Sequence, residues 1–560
     1  MTADGQGRPS RRAAARALGI DQLTPEQATA IRAVERGDDV IVVLPTGAGK
    51  SAIYQVAGAR RDGPTLVVSP LIALQEDQLA RLDAARDVLG KAAALHSLLS
   101  EGRQREALER FAAGELRYLF LAPEQLHDPE VVDALAVARP GLLVVDESHC
   151  VVSWGNDFRP AFLAIGLARP RLGDPPVLAL TASAAPAVRV EIAERLAMQD
   201  PTTVVAGVVR PNIHLSVDNA ADHDEAEARL VEAVADLAGS GLVYVAKRAD
   251  ADRLAGLLDS PGRPALAYHS GLTRKQRTQV HERFLAEDPS LVVATVAFGL
   301  GIDKPDVRFV VHADAPESID AWYQEVGRAG RDGRPATAVL FRALGQAPAR
   351  SYYGGARGVS RTTCLRALAA LREAGEATVE DIARVVGIGK GQAWQAVVEL
   401  VAAGAATASP DGVVAPVDPA PEAGAVATAI GARTERRRAL QRSQGEMMRA
   451  LLDGTGCLWR GIAGYLGDPL DHLCAHCQRC DDGRAEAANG AGDAGAAAGA
   501  GEGSGAADDP LAPGATITHG EFGTGTVVDR ADDAVTVAFD DAGYRRLSVE
   551  ILTHNDLLTD

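Results

Sequence analysis

Short, nearly unbroken apolar runs set between amphipathic helical stretches constrain this chain more than any other feature. Up to residue 205 they are VIVVL at 40–44, TLVVS at 65–69, YLFLA at 118–122, LLVVD at 142–146 and VLALT at 177–181. GLVYV at 241–245, LVVAT at 291–295, RFVVH at 308–312 and TAVLF at 337–341 repeat the pattern. A strand with one wet face alternates apolar and polar residues, whereas apolar runs separated by helices mark parallel strands covered on both faces. The expected fold class is α/β, with two tandem parallel-sheet domains at residues 1–205 and 206–345. One core rarely exceeds ~250–300 residues, so a chain of 560 residues should carry further domains.

Residues 346–430 change character. TTCLRALAALREAGE, TVEDIARVVGI and KGQAWQAVVELVAAGAAT read as three helices, and ASPDGVVAPV as a hairpin, an order that fits a winged-helix-like domain. Residues 431–483 read as helical and end in a cysteine cluster. Residues 484–510 are an Ala/Gly/Asp stretch that cannot build a core, hence a disordered linker. Residues 511–560 recover alternation in TGTVVD, AVTVAF and YRRLSV, which predicts a small β-barrel. The longest apolar runs, such as Leu291 to Ile302, fall short of the ~20 residues a bilayer requires. The first residues carry arginines with no apolar core behind them, so no secretory leader is expected. Six cysteines are too sparse for a disulfide scaffold, so a reducing, cytoplasmic setting is expected.

A net charge of −18 argues against coating nucleic acid by bulk charge. Its distribution weakens that exclusion. Residues 485–560 hold 14 Asp and Glu against 3 Arg, a net of −11, which leaves −7 for residues 1–484. Lysines number six against 51 arginines, which, with abundant Ala and Gly, reads as codon bias.

VIVVLPTGAGKSAIYQ runs strand, glycine-rich loop, helix, and backbone N–H groups in such a loop cradle phosphate oxygens. Lys50 would reach the β- and γ-phosphates and Ser51 would hold Mg²⁺. The strict pattern wants Gly six residues before the Lys, where this chain has Leu44, so taken alone the segment also reads as a glycine turn opening a helix. LLVVDESHC decides between them, because Asp146 and Glu147 follow a buried strand where a carboxylate holds Mg²⁺ and its neighbour orients or deprotonates the attacking water. QEVGRAGRDG at 324–333 offers Arg328 and Arg331 as cations for the γ-phosphate, although an exposed arginine pair would look the same by itself.

PTGAGKS, DESHC, LTAS and QEVGRAGRDG, in this order over two α/β domains, resemble a superfamily 2 helicase. SPLIALQEDQ at 69–78, VVSWGNDFRPAF at 151–162, AYHSGL at 267–272 and ATVAFGLGIDKPDVRFVVH at 294–312 narrow the resemblance to RecQ-type DNA helicases. It covers roughly residues 15–345 and 431–480. It implies two RecA-like motor domains that close on ATP and open after hydrolysis. Gln27 would read adenine, with Thr46, Gly47, Gly49, Lys50 and Ser51 around the phosphates and Ser51 and Asp146 on Mg²⁺. The family usually has Arg where this chain has Thr24. The loop after DESHC would bind single-stranded DNA through Trp154, Phe158 and Arg159. Aromatic faces there stack on bases at ~1–3 kcal/mol each, with Phe162 the ring best read as core. His149 would relay between loop and nucleotide, Thr181 and Ser183 would couple hydrolysis to movement, and His269, Thr295 and residues 301–303 would face the cleft or the DNA backbone.

Cys457, Cys474, Cys477 and Cys480 are separated by 16, two and two residues, a spacing suited to tetrahedral Zn²⁺, with free thiols or an iron–sulfur cluster as alternatives. The same spacing occurs in the RecQ zinc module. Cys150 and Cys364 are left over for apolar packing. RecQ proteins usually place a winged helix after the zinc module and often a helical HRDC domain beyond it; here the winged-helix-like segment precedes the module. Arg384, Lys390 and Trp394 are its candidate duplex contacts, against a packing-only role. Residues 517–552 resemble the Tudor-like tail of UvrD/PcrA helicases, which is associated with RNA polymerase binding, so residues 511–560 are expected to bind RNA polymerase or another protein, with a solvated stabilising barrel as the alternative. The expected activity is an ATP-dependent DNA helicase moving 3′→5′ on single-stranded and forked DNA in recombination or repair. The alternatives are an RNA-directed or non-unwinding translocase, and a transcription-linked remodelling adaptor recruited through the C-terminal barrel.

Overall fold

The computed structural model describes residues 8–70, 72–152, 160–299, 304–345, 359–408, 413–486, 511, 516–520, 522–530, 534–539, 543–549 and 558–559. The chain forms two compact units: Met1–Ala182, Val188–Ala206 and Gly355–Arg437 in the first, Ser183–Ala187, Gly207–Gly354 and Arg438–Asp560 in the second.

The first unit is built on β1 (Val40–Val43), β2 (Thr65–Val68), β3 (Ala92–Leu95), β4 (Tyr118–Leu121), β5 (Leu142–Val145), β6 (Val177–Thr181) and β7 (Thr202–Val205). They pair in the order β3-β4-β2-β5-β6-β1-β7, every pair parallel. The five inner strands are buried along their whole length, as their apolar runs require. Helices cover the sheet because their apolar faces need the same burial; Pro25–Arg36 contributes Ala30, Ile31 and Val34, and Lys50–Arg60 contributes Ile53, Tyr54 and Val56. In a parallel sheet all carboxyl ends lie along one edge, and loops after β1, β5 and β6 therefore gather there.

The second unit repeats the scheme with β8 (Ile213–Ala220), β9 (Ser240–Tyr244), β10 (Ala265–Tyr268), β11 (Leu291–Ala294), β12 (Val307–His312) and β13 (Ala336–Ala343), in the order β10-β11-β9-β12-β13-β8, again all parallel. The two RecA-like parallel-sheet domains expected from the sequence are present. The four strands absent from the apolar-run reading, β3, β7, β8 and β10, are the four sheet edges.

Also in the first unit, helices Arg361–Ala374, Val379–Val386 and Lys390–Ala402 pack with a three-stranded antiparallel sheet ordered Ala377–Thr378, Val413–Pro416, Ala406–Ala408. The third helix faces inward: Trp394 is 6% exposed and stacks on His127, with ring centroids 4.5 Å apart and planes at 18°. Buried Glu399 accepts from Arg433 Nε at 3.2 Å and Arg437 Nη2 at 3.2 Å, with Arg195 Nη2 at 3.9 Å. Lys390 pairs with Glu380 and Arg384 with Asp381. Of the three candidate duplex contacts, Trp394 is taken up by packing. The 31-residue helix Ala423–Asp453 runs unbroken through residues 430 and 431, where the sequence suggested a boundary.

In the second unit, helices Leu458–Leu466 and Gln478–Asp481 accompany the cysteines. A five-stranded antiparallel sheet follows, ordered Gly543–Ser548, Ala534–Phe539, Gly523–Arg530, Thr516–His519, Leu558–Thr559, around Ile517, Val527, Val535, Val537 and Phe539. Among the described residues no helix is long and apolar enough to cross a membrane.

Candidate active site

The loop Pro45–Gly49 leaves β1 and opens the helix Lys50–Arg60. Gly47 (φ +85°) and Gly49 (φ +73°) take left-handed conformations that side chains resist, which lets the loop curl and aim its N–H groups at one point. Leu44, where the strict motif has glycine, is 5% exposed and hydrogen-bonds to Thr181 O at 3.2 Å, so that position serves as strand. Lys50 Nζ donates to Leu44 O at 3.0 Å and Pro45 O at 3.4 Å, curling back over the loop. Thr46 and Ser51 are half-buried and Gly47 is exposed.

Gln27 is 5% exposed and bound at both ends. Its Oε1 accepts from Thr24 N at 3.0 Å in a capping box, while Nε2 donates to Ala48 O at 3.0 Å and Gly49 O at 3.3 Å. The cap was readable from Thr24-x-x-Gln27 ahead of an apolar stretch; the contact with the phosphate loop needed the fold.

Asp146 and Glu147 end β5 on the same edge. Glu147 sits at φ 50°, ψ 47°, a left-handed conformation costing ~1–2 kcal/mol for a residue with a Cβ. Strain of this kind persists where surrounding structure holds it, commonly at working sites. Burial and the Glu147 carboxylate push Asp146 up to about 7, partly opposed by Lys50 and His149. Two adjacent carboxylates at the end of a buried strand offer oxygen donors of the kind Mg²⁺ prefers, and a dication would relieve their repulsion. His149 joins this edge to β6: Nδ1 lies 3.0 Å from Thr181 Oγ1 and 3.4 Å from Glu147 Oε2. Cys150 and Cys364 are fully buried, Cys150 Sγ lying 3.8 Å from His149 Nε2 and Cys364 lying near Glu399 and Arg437. Phe162 is fully buried as core, whereas Trp154, Phe158 and Arg159 lie outside the described residues.

In the second unit, the helix Ile319–Val326 runs into the loop bearing Arg328 and Arg331. Arg328 is 9% exposed and donates from Nη1 to Gly299 O. Ser183, grouped with this unit, accepts from Gln324 Nε2 at 2.9 Å. His269 pins its own loop, with Nδ1 accepting from Gly271 N and Nε2 donating to Asp252 Oδ1, both at 3.1 Å. Thr295 is 1% exposed, so neither side chain lies open on the surface. Residues 301–303 lie outside the described residues.

Cys457, Cys474, Cys477 and Cys480 place their sulfurs within 4.8 Å of one another, with Cys474–Cys480 at 3.7 Å and Cys477–Cys480 at 3.5 Å. Tetrahedral Zn–S bonds of ~2.3 Å set sulfurs about 3.8 Å apart, so the four residues fit such an ion. Hydrogen bonds from Cys457 and Cys477 push the Cys474 thiol up, burial pushes Cys480 up to about 11, and bonds from Cys457 and Cys474 hold Cys477 low. A bound dication resolves that conflict by favouring thiolate at all four.

A phosphate loop and strand-end acids on one parallel sheet, followed by a second parallel sheet with an arginine-bearing loop, define a nucleic-acid helicase motor. Residues 24–190 match the family model of the DEAD/DEAH box helicases, and residues 227–333 that of the helicase conserved C-terminal domain. The probable ATP-dependent DNA helicase RecS of Bacillus subtilis is 38% identical over 380 residues, 67% of this chain and 76% of that protein. The ATP-dependent DNA helicase RecQ of Pasteurella multocida is 37% identical over 324 residues, 58% of this chain and 50% of that protein. The chain thus spans three quarters of RecS and about half of RecQ. The Mycobacterium smegmatis helicase Lhr bound to ssDNA and AMP-PNP aligns with a TM-score of 0.48 and 22% identity over 76% of this chain and 62% of that one. The chain belongs to the RecQ-type family of superfamily 2 ATP-dependent DNA helicases.

Proposed function

We propose that this chain couples ATP hydrolysis to 3′→5′ translocation on single-stranded DNA and to opening of forked duplexes in recombination or repair. The observation carrying the reading is that Lys50, Asp146, Glu147 and His149 share one edge of the first sheet in a chain of the RecQ-type family. In this reading Thr46, Gly47, Gly49 and Lys50 hold the phosphates, and Gln27, whose amide is committed to the helix cap and to the carbonyls of Ala48 and Gly49, braces their loop in place of the adenine contact that the resemblance implies. Ser51 and Asp146 hold Mg²⁺, which supplies charge neutralisation at the transferred phosphate. Glu147 orients or deprotonates the attacking water, and Arg328 and Arg331 stabilise charge developing on the γ-phosphate. Trp154, Phe158 and Arg159 contact the single strand. Zn²⁺ at the four cysteines is structural, because four protein ligands leave no open position for chemistry.

The test is ATPase stimulation by single-stranded DNA and by single-stranded RNA, with a forked-duplex unwinding assay beside it. DNA stimulation and unwinding are expected, and Lys50→Ala should lower hydrolysis at least ~10³-fold through lost phosphate stabilisation. Hydrolysis unchanged in Lys50→Ala, or stimulation by RNA alone, would sink the reading. A second reading, a transcription-linked remodeller recruited through the C-terminal sheet read as a Tudor-like barrel, draws on the −11 charge of residues 485–560, which suits a basic protein surface better than DNA phosphate. RNA polymerase captured by the wild-type full chain, and lost on charge reversal of the Asp and Glu residues in 516–549, would favour it.

A further inference from the structure

Arg328 and Arg331 follow directly from the helix Ile319–Val326, so whatever holds that helix sets where they point. Two of its residues one turn apart, Asp320 and Tyr323, are gripped by the helical cysteine module. Tyr465 Oη donates to Asp320 Oδ2, and Gln444 Nε2 donates to the same oxygen at 3.3 Å. The Tyr323 ring meets Trp459 edge-on at 6.4 Å and 87°, and Trp459 Nε1 donates to Ile213 O at 3.1 Å, at the start of β8. Tyr465 is 1% exposed; burial and the Asp320 carboxylate hold its phenol well above the ordinary range, so it remains a donor.

The ring of Tyr465, away from its hydroxyl contacts, is covered by the C-terminal sheet. Tyr544 stacks on it with centroids 4.9 Å apart and planes at 27°, and is itself 3% exposed. Gly543 makes the approach possible. Its φ is +72°, and a Cβ there would lie 2.5 Å from Oγ of buried Ser443, the residue before Gln444. Tyr465 is therefore set between Asp320 and Tyr544.

We propose that the C-terminal sheet is a positioning element of the motor: seated through Gly543 and Tyr544, it holds Tyr465 against Asp320 and thereby fixes the helix that delivers Arg328 and Arg331. This rests on the reading of those arginines as γ-phosphate ligands. Small displacements of a group that must meet a transition state cost rate steeply, up to ~100-fold for about 1 Å. The effect should accordingly fall on kcat and spare the ATP KM.

The experiment measures DNA-stimulated ATP hydrolysis by the full-length chain and its variants. Tyr544→Ala is expected to lower kcat roughly 10-fold with KM for ATP within about two-fold, and to speed proteolytic release of the tail. Tyr544→Phe keeps the stacked ring and should restore wild-type kcat. Tyr465→Phe, a mild change that keeps the ring but removes the donor to Asp320, should lower kcat to a similar degree. Residues acting through one contact are non-additive, so Tyr465→Phe combined with Tyr544→Ala should fall no further than the weaker single variant. Unchanged kcat in Tyr544→Ala or in Tyr465→Phe, or multiplicative losses in the double variant, would overturn the proposal. Arg328→Ala tests the underlying assignment separately: wild-type kcat there removes the arginine reading whatever the tyrosine variants do.

Discussion

Gln27 lies on a helix that ends a full loop away from the phosphate site, yet both ends of its amide are committed: one to the helix cap, the other to the loop carbonyls of Ala48 and Gly49. The two roles separate by chemistry. Gln27→Glu keeps an oxygen for Thr24 N but loses both N–H donors and sets a carboxylate against two carbonyls. The expected result is a KM for ATP raised about 10-fold, corresponding to ~1.4 kcal/mol. Gln27→Ala loses cap and loop contact together, and urea unfolding should show about 1–2 kcal/mol of lost stability. A wild-type KM in Gln27→Glu would mean that the loop holds its shape without this contact. That Lys50 and Asp146 lie near one another was readable from sequence, because a glycine-rich loop and an acid pair each follow an apolar strand of one parallel sheet. The Gln27–loop contact was not, since it joins residues 21 and 22 positions apart through the packing of two helices. Nor does any local pattern announce the left-handed backbone at Glu147.

Among the elements, inner strands declared themselves and edge strands did not, for a reason of exposure. β3 reads AAAL and is only half-buried except at Leu95; β10 is half-buried throughout; β8 alternates. A strand with one neighbour keeps part of its surface in water and has no need of an unbroken apolar run. The start of the helix Ala423–Asp453 is hard to see in the sequence because its first turns set only Val426 and Ile430 among Ala, Gly and Thr, which gives little apolar contrast. The helix Lys390–Ala402 shows the converse, since its lone tryptophan looked available for DNA and instead closes on His127. Burial and nearby Lys390 push His127 down to about 4 from the ordinary 6.5, partly opposed by Glu380. With the folded value depressed, the unfolded chain takes up a proton that the folded one refuses. Stability from this contact is thus full above pH 6.5 and is lost as pH falls from 6.5 toward 4. A depression of that size makes the loss on the order of 3 kcal/mol. Urea unfolding at pH 7.5 and 5.0 should show part of that loss in the wild type, and His127→Phe, which keeps a ring for Trp394, should flatten it. An equal pH response in the two proteins would place the titration elsewhere.

Over the whole molecule the question is how a chain of net charge −18 holds a polyanion. Its 51 arginines are no measure of a basic face, because many are consumed internally. Arg11 and Arg60 converge on Glu35, Arg169 on buried Asp39, Arg195, Arg433 and Arg437 on Glu399, and Arg342 on Asp453. A guanidinium held by a carboxylate, especially a buried one, is unavailable to phosphate. With only six lysines to add, contact with DNA should run along a narrow track of a few phosphates, supplemented by stacking that salt does not screen. Each phosphate neutralised on a single strand contributes about −0.7 to the slope of log K against log salt. Three to five such contacts predict a slope of about −2 to −3.5. Fluorescence anisotropy with a labelled oligothymidine between ~50 and 200 mM salt measures it directly. A slope steeper than about −5 would require a broad basic surface, which the internal pairing of these arginines argues against. A shallow slope would locate the affinity in base stacking and backbone contacts, and replacing Trp154 should then weaken binding nearly equally at every salt concentration.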